Sequence, residues 1–413
     1  MWGQSGVTVR RVNTFQSPVV NLGASAQRIG FLPITNLGIL RALRLSVPYA
    51  AGTVTAGASG LTAPVALQQP QLNIIQNLQI QMAGLTASYN CSGRELGYLS
   101  YVGNGKRFTE RRNNALKLGY ADTAVNTPAL FSFPTSLSPA SMTLKNSIPV
   151  IEYNHTGPVF NFGYSMEIPI IEYYRVPGQA GLDKNGNIVP GVGDIEVETG
   201  LLIMQSAAQT VTLDVTLSGL QGSTFQSVFV PGTTGYDLLG LNKPWNLEHD
   251  YYDLPDNPQD YPSALQTGFM VSRVARDWPI QNGQADYYFL RGGLLLRSIM
   301  SFYNDSSVYN TVVDIAGDAT QTPDKIGVLL QDGQSTQYYN ETAQTNQARQ
   351  YNLYGAPSPG ILVHDLIADG TLTQAISTAD TVALRESLTN LPSSITRMRV
   401  LEERLIPVQV TSQ

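Results

Sequence analysis

Three histidines, His155, His249 and His364, are the side chains best suited to acid–base or metal chemistry in this chain. Cys91 is the single cysteine, so a thiolate zinc site is excluded, and no two histidines have the spacing of metal ligands. His364 precedes Asp365 in an apolar segment, where a carboxylate could orient it as a general base. A hydrogen-bonded histidine inside a sheet explains the same residues more simply. We therefore predict that the chain is not an enzyme.

Two segments resemble the beginnings of ligand-binding motifs. Residues 103–106 (GNGK) are similar to part of a phosphate-binding loop, but Arg107 stands where that motif requires Ser or Thr. Residues 183–187 (DKNGN) offer oxygen ligands at alternate positions, as a calcium loop does, but its twelfth residue is Asp194 and not glutamate. We reject the first motif and interpret the second as a surface turn, and we expect no cofactor.

Carboxylates and tyrosines leave two further roles open. Glu152, Glu167 and Glu172 lie in a strand-like region, and two carboxylates about 5 to 9 Å apart could hydrolyse a glycoside. Solvent-facing positions on a sheet are the simpler interpretation. Tyrosine doublets could stack on sugars, but successive residues of a strand point to opposite faces, which places one ring on each side. The doublets are residues 173–174, 251–252, 287–288 and 338–339.

The chain carries little charge. Asp, Glu, Lys and Arg make up 14% of its 413 residues, against about 25% in a typical soluble protein, and residues 45–93 contain none of them. Arginines outnumber lysines 19 to 6, and arginine is favoured in protein contacts. Two explanations stay open: a nucleotide-composition bias, or a surface that lies against neighbouring proteins.

Net charge and the lack of targeting patterns limit the classes of partner and the compartment that we expect for this chain. A net charge of -6 argues against nucleic acid as the main partner, because phosphate binding relies on clustered Lys and Arg, so we expect no sequence-specific nucleic-acid binding. The N-terminal residues lack the pattern of a signal peptide, and no apolar run approaches the ~20 residues of a membrane span. With a single cysteine, these features predict synthesis in a reducing cytoplasm.

Strand patterns divide the chain into four segments. Residues 1–30 show little periodicity, contain Arg10 and Arg11, and are predicted to be an N-terminal arm that orders against another surface. Residues 31–235 and 266–413 contain strand-like segments, and the proline- and acid-rich residues 236–265 indicate a linker between them. With few convincing helices, the pattern predicts an all-β protein of two antiparallel sandwiches.

Local patterns predict individual elements and a repeat. Ser92 and Glu95 form a capping box that predicts a helix, whereas residues 349–354 are predicted to be a strand. Two pairs of matches predict one β-module built twice, with long insertions in the first copy. The pairs are 40–43 (LRAL) with 296–299 (LRSI), each after a glycine-led start, and 200–203 (GLLI) with 360–363 (GILV).

Several strand patterns together resemble one family. They are residues 33–41 (PITNLGILR), 73–82 (NIIQNLQIQM) leading into 93–96 (GREL), 293–300 (GLLLRSIM) and 359–365 (PGILVHD). On these, the chain resembles the double jelly-roll major capsid proteins of tailless, membrane-containing bacteriophages, which are tectivirus-like and share the lineage of adenovirus hexon. The resemblance implies two tandem jelly-roll β-sandwiches with a few short helices in loops.

The resemblance also implies a function. Chains of this family form homotrimers with a pseudo-hexagonal outline, which tile an icosahedral shell over an internal lipid membrane. The expected partners are thus other copies of the chain, neighbouring capsomers, minor capsid and vertex proteins, and lipid. Arg10 and Arg11 would lie at the capsid base and meet lipid phosphates or minor proteins, while residues 105–195 would form an outward insertion. The protein would reside in the virion.

Two other functions fit the same residues. A phage spike, receptor-binding protein or carbohydrate-binding adhesin would share the strand content and neutral surface, but would form a small discrete oligomer with affinity for glycans. A β-sandwich glycosidase would lose hydrolysis when one acidic residue is replaced.

Overall fold

A computed structural model describes residues 10–20, 27–34, 38–56, 75–82, 89–102, 116–117, 159–170, 172–176, 181–182, 188–189, 195–199, 202–203, 211–217, 236–239, 243–253, 269–303, 325–354, 361–368 and 371–407. These residues form many strands and two helices, so the predicted all-β class is confirmed.

The elements of the first half are β1 (Arg10–Val20), β2 (Gln27–Ile34), β3 (Ile39–Ala56), β4 (Ile75–Met82), β5 (Tyr89–Cys91), α1 (Gly93–Val102), β6 (Leu116–Lys117), β7 (Val159–Pro169), β8 (Glu172–Val176), β9 (Gly181–Leu182), β10 (Ile188–Val189), β11 (Ile195–Thr199), β12 (Leu202–Ile203), β13 (Val211–Leu217), β14 (Tyr236–Leu239) and β15 (Lys243–Tyr252).

Those of the second half are β16 (Phe269–Pro279), β17 (Ala285–Tyr288), β18 (Leu294–Tyr303), β19 (Gly327–Gln331), β20 (Gln337–Thr342), α2 (Ala343–Tyr354), β21 (Ile361–Asp365), β22 (Ile376–Ser377), β23 (Arg385–Thr389) and β24 (Arg397–Pro407).

The second half is a sandwich of two four-stranded sheets. One has the order β16-β24-β18-β21 and the other β17-β23-β19-β20. Numbered along the chain, these eight strands occupy the sheets as 1-8-3-6 and 2-7-4-5. This interleaving of two Greek keys is a jelly roll.

The first half repeats that order. Its principal strands form the sheets β1-β15-β3-β7 and β2-β13-β4-β5, which are again 1-8-3-6 and 2-7-4-5. In both halves a helix follows the fifth strand: α1 follows β5, and α2 follows β20. The chain therefore contains the same β-module twice, as the match between residues 40–43 and 296–299 predicts.

The repeat extends to a bulge and a glycine. β3 bulges at Arg41 against β15, and β18 bulges at Leu296 against β24. A left-handed glycine starts each strand, Gly38 (φ 142°) and Gly293 (φ 87°). A Cβ on either would lie 2.2 to 2.3 Å from a carbonyl oxygen of the eighth strand, so only glycine fits without a shift. The LRAL and LRSI matches thus mark equivalent strands, although their arginines are one residue out of register.

The second predicted match, between residues 200–203 and 360–363, is wrong. Residues 202–203 form β12, which pairs with Leu40 and Ile39 at the start of β3. Their counterpart is β22, which pairs with Leu295 and Leu294 at the start of β18. Residues 361–365 form β21 instead, whose counterpart is β7. Short apolar runs after a glycine occur in many strands, and pairing distinguishes them.

The two modules share one continuous sheet. β5 of the first pairs in parallel with β16 of the second, with Tyr89 opposite Arg273 and Asn90 opposite Val274. This joint adds the β2-β13-β4-β5 sheet to the β16-β24-β18-β21 sheet. Arg399 of β24 also donates to Glu95 of α1 at 3.0 Å. Main-chain and charged contacts therefore cross between the halves.

Apolar packing fills both faces of the sheet that contains β18. Every residue from Leu295 to Tyr303 is buried, as predicted for a glycine-led apolar run. One face packs into the main core of the second module, with Tyr287, Phe302 and Met398 among its members. The other face carries a smaller cluster that includes Leu296 and Leu405.

One predicted helix is confirmed and one predicted strand is wrong. The Ser92 amide donates to the Glu95 carboxylate at 2.6 Å, which caps α1 as the motif predicts. Residues 349–354 are the C-terminal part of α2, not a strand. Residues 346, 350 and 354 are buried at helical spacing, whereas Tyr351 and Leu353, which favoured a strand, face outward.

The described strands also bear on the predicted segments. β1 lies within residues 1–30, and β15 lies within residues 236–265; both are paired strands of the first sandwich rather than an arm or a linker. Most of residues 105–195 lies outside the described residues, but this stretch includes β7, the sixth jelly-roll strand. The boundaries at 30, 235 and 265 remain predictions.

Candidate functional site

The residues considered for chemistry do not converge within the described part of the chain. His155, Glu152 and residues 103–106 lie outside it. His249 lies buried in β15, and burial lowers its pKa to about 4, so the ring is neutral at pH 7. His249 is therefore not suited to any role that requires a charged imidazole at that pH.

The other acidic candidates lie on separate strands. Glu167 is in β7, opposite Arg44, and Glu172 is in β8, opposite Thr199. Residues 183–187 lie outside the described residues, between the paired strands β9 and β10. Across the described residues, no group of three His, Cys, Asp or Glu side chains could hold a metal ion.

Two of the tyrosine doublets, 287–288 and 338–339, follow the sheet interpretation. Tyr287 is fully buried, whereas Tyr288 is 44% exposed. Tyr338 is 37% exposed, whereas Tyr339 stacks on His364 with a ring distance of 4.5 Å. In each of these two doublets one ring packs inward and the other meets solvent, whereas Tyr251 and Tyr252 are both partly buried.

A row of polar side chains crosses five neighbouring strands. We call Tyr89, Arg273, Glu403, Arg297 and Asp365 the charge row; they lie opposite one another on β5, β16, β24, β18 and β21. Within it, Glu403 accepts from Arg273 and from Arg297, each at 2.7 Å. Arg297 also donates to Asp365 at 2.9 Å, and Arg273 donates to the Tyr89 hydroxyl.

The charge row joins the two modules and ends at a helix. Its four charged members are each less than 7% exposed, so each charge depends on its neighbours rather than on water. Tyr89 belongs to the first module, and at the other end the Tyr354 hydroxyl of α2 donates to Asp365 at 2.8 Å. Sequence analysis missed this row because its members are separated by up to 314 positions in the chain, from 89 to 403.

A second buried cluster surrounds His364. Its Nδ1 lies 3.0 Å from Glu386 and its Nε2 lies 3.3 Å from Glu341. Arg349 donates to both Glu341 oxygens, at 2.6 and 2.7 Å. The prediction that His364 is a hydrogen-bonded sheet histidine is confirmed, although its partners come from β20 and β23.

The two carboxylates set the charge of this cluster. Burial alone would lower the pKa of His364, but Glu386 and Glu341 outweigh it and raise the pKa to about 9. Burial would raise the pKa of Glu341, but hydrogen bonds from His364, Arg349 and Asn346 lower it to about 2. At neutral pH the cluster contains two cations and the carboxylates that neutralise them.

Burying charges leaves the outside still less charged. Of the chain's 25 basic and 31 acidic residues, at least twelve are buried among the described residues. The outer face of α2 carries no charge; its exposed residues are Gln344, Thr345, Ala348, Tyr351, Asn352 and Leu353. On β1, alternate exposed residues are also uncharged: Val12, Thr14 and Gln16.

Arg10 and Arg11 begin β1. Their backbones lie opposite Tyr252 and Tyr251 of β15. β1 is the last strand of its sheet in the described residues, so both arginines stand at a sheet margin. Across the described residues, no helix is long and apolar enough to cross a membrane.

Neither a protein-family model nor a curated protein sequence matches this chain. Solved structures do match. The major capsid protein of Sulfolobus turreted icosahedral virus aligns with a TM-score of 0.57 and 13% identity, over 98% of this chain and 100% of that one. The VP54 protein of PBCV-1 aligns with a TM-score of 0.53 and 12% identity, over 98% and 95% of the two chains.

The chain has the double jelly-roll fold. Both matches run nearly end to end, so they include both sandwiches and the joint between them. A third, to the atomic structure of Sulfolobus turreted icosahedral virus, has a TM-score of 0.53 and 13% identity and covers 97% and 91% of the two chains. The fold implied by the sequence resemblance is therefore confirmed. The double jelly roll repeats one interleaved strand order in each half.

Proposed function

We propose that this chain is a viral major capsid protein, a structural component of the virion. The observation that carries the proposal is a complete pair of jelly rolls fused through one continuous sheet, aligned over 98% of the chain with the major capsid protein of Sulfolobus turreted icosahedral virus. The chain would be made in the host cytoplasm and would function in an icosahedral shell.

The distribution of charge supports assembly. A shell subunit must bury broad flanks against other copies, and each charge on those flanks would have to be desolvated. The exposed faces of α2 and β1 are uncharged, while eight charged residues of the described second module are buried. Such faces lose little on contact, and many modest contacts add up in a closed assembly.

A trimer is the expected building unit. Each chain contributes two similar sandwiches, so three chains would give six modules around one axis and a pseudo-hexagonal outline that tiles with neighbouring capsomers. Light scattering should give three times the 44.8 kDa of one chain, and negative-stain microscopy should show hexagonal particles. A monomer at every concentration, or a small oligomer that binds glycans, would instead support a spike or receptor-binding protein.

The proposal does not include catalysis. In both buried clusters the carboxylates are occupied by arginine or histidine, which supports a structural role for these acids. An assay against glycosides tests this directly. Hydrolysis that is lost when one acidic residue is replaced would contradict it.

We further propose that Arg10 and Arg11 face an internal membrane or minor capsid and vertex proteins. Their place on the outermost described strand of this sheet supports contact with something outside it, and lipid phosphates attract arginines near a membrane surface. Arg10→Glu with Arg11→Glu should reduce the lipid recovered with particles. The matched control is Arg291→Glu with Lys325→Glu, which reverses two exposed charges elsewhere. Normal lipid-containing particles from the first variant would contradict the placement.

A further inference from the structure

Helix α2 lies along strand β21 and bonds to its main chain. Among the described residues, β21 is the last strand of its sheet, with β18 on one side. On the other side Asn346 donates to the Val363 carbonyl at 3.0 Å and accepts from the Val363 amide at 3.0 Å. One side-chain amide thus makes both bonds that a neighbouring strand would make.

A second main-chain group of β21 is bonded one helical turn later, by donation alone. Gln350 donates to the Ile361 carbonyl at 3.0 Å, and Gln347 donates to it at 2.8 Å. Four helical residues rise about 6 Å, close to the roughly 6.7 Å between alternate residues of a strand. Asn346 and Gln350 therefore match Val363 and Ile361 in spacing, and α2 closes a sheet edge that could otherwise pair with another chain.

The cluster around His364 anchors this helix from below. Glu341 accepts from Asn346 at 2.8 Å and from Arg349, both on α2, and also faces His364. A neutral imidazole has one N–H, so it could donate to only one carboxylate. Because both ring nitrogens face carboxylates, Glu341 and Glu386, the geometry assigns a charged ring to His364.

We propose that α2 is a proton-dependent cover of strand β21, held in place by charged His364 and released when that ring loses its proton. Release would expose to water the main-chain groups of β21 that Asn346 and Gln350 now bond. Deprotonation would leave two buried carboxylates with Arg349 as the remaining cation of the cluster, and this imbalance would weaken the network that holds α2.

Three further groups lie around the ring. Tyr339 stacks on His364, and Arg349 lies 4.5 Å above the Tyr339 ring. Asp365, next in the strand, is held by Arg297 and by the Tyr354 hydroxyl. Because the pKa of His364 is raised, its contribution to stability is complete below its ordinary value of 6.5 and is lost as the pH rises through about 9. The expected release is alkaline.

Hydrogen exchange of the full-length protein tests the proposal. Protection of residues 361–365, corrected for the intrinsic exchange rate, should fall at least tenfold between pH 7 and pH 10, while residues 397–405 of β24 stay protected. Glu386→Gln removes one carboxylate and should lower the midpoint of this loss by at least one pH unit. The control is Asp380→Asn, an exposed acid outside the cluster, which should leave the midpoint unchanged.

Three results would overturn the proposal. One is a midpoint unchanged by Glu386→Gln; another is loss of protection in β21 and β24 together, because α2 would then not move separately. If Glu386→Gln fails to fold, ring-nitrogen spectroscopy of histidine-labelled wild type decides. One of the three histidine rings should stay charged at pH 8. Three neutral rings at that pH would exclude a charged His364 that holds α2 in place.

Discussion

Glu403 holds two arginines at once inside the second module. It is fully buried at the centre of the charge row, between Arg273 and Arg297. A buried carboxylate placed this way is not evidence of extra stability, because desolvation offsets the attraction. Removal of the Glu403 carboxylate should nevertheless destabilise the fold, because the two arginines would then remain buried with fewer partners.

Glu403→Gln should therefore lower the free energy of unfolding by about 3 kcal/mol. The measurement is denaturant unfolding followed by the fluorescence of Trp278, which lies in β16. Asp277→Asn is the matched control: its side chain is 37% exposed and pairs with Arg399 at 3.3 Å, so it should change stability by less than about 1 kcal/mol. Equal effects of the two substitutions would show that the charge row has no special role.

The glycine at the start of the third strand in each module allows that strand to approach the eighth strand closely. Gly293 has a left-handed φ, and a Cβ there would lie 2.2 Å from the Leu405 carbonyl oxygen. Gly292 has a similar φ of 96° but open space around it. The neighbouring glycines therefore separate backbone strain from steric exclusion.

Gly292→Ala should cost about 1 kcal/mol, because a left-handed φ disfavours a Cβ. Gly293→Ala should cost several times as much, because β18 must also move away from β24. Thermal unfolding of the two variants measures the difference. If both lose the same stability, the close approach to Leu405 does not constrain the strand.

Local elements could be predicted from the sequence where a few adjacent residues determine them. Ser92 and Glu95 predict the start of α1 because a helix cap needs just one turn. The strand prediction for residues 349–354 is wrong because their two tyrosines favour strands, whereas the hydrogen bonds of the Asn346 and Gln350 side chains to β21 hold a helix there. The charge row and the His364 cluster could not be predicted, because their members meet only through pairings between distant strands.

At the scale of the whole molecule, low charge has a consequence for association. Between about 0.1 M and about 1 M salt, the screening length falls from about 10 Å to about 3 Å. Contacts made by uncharged faces such as that of α2 should respond weakly, so the free energy of capsomer association should change by less than about 1 kcal/mol. Sedimentation at both salt concentrations measures this. Dissociation in high salt would mean that ion pairs hold the copies together.

Because β5 and β16 pair in parallel, each half of the chain on its own would have a strand edge without its pairing partner. If the chain were divided between Asp253 and Phe269, one fragment would contain β5 and the other β16. Each of these strands would then have an unpaired edge. The fragments should precipitate when made separately and complement each other when made together. In that case fusion of the halves is a condition of solubility, and an insertion between them would be tolerated only if β5 and β16 could still pair.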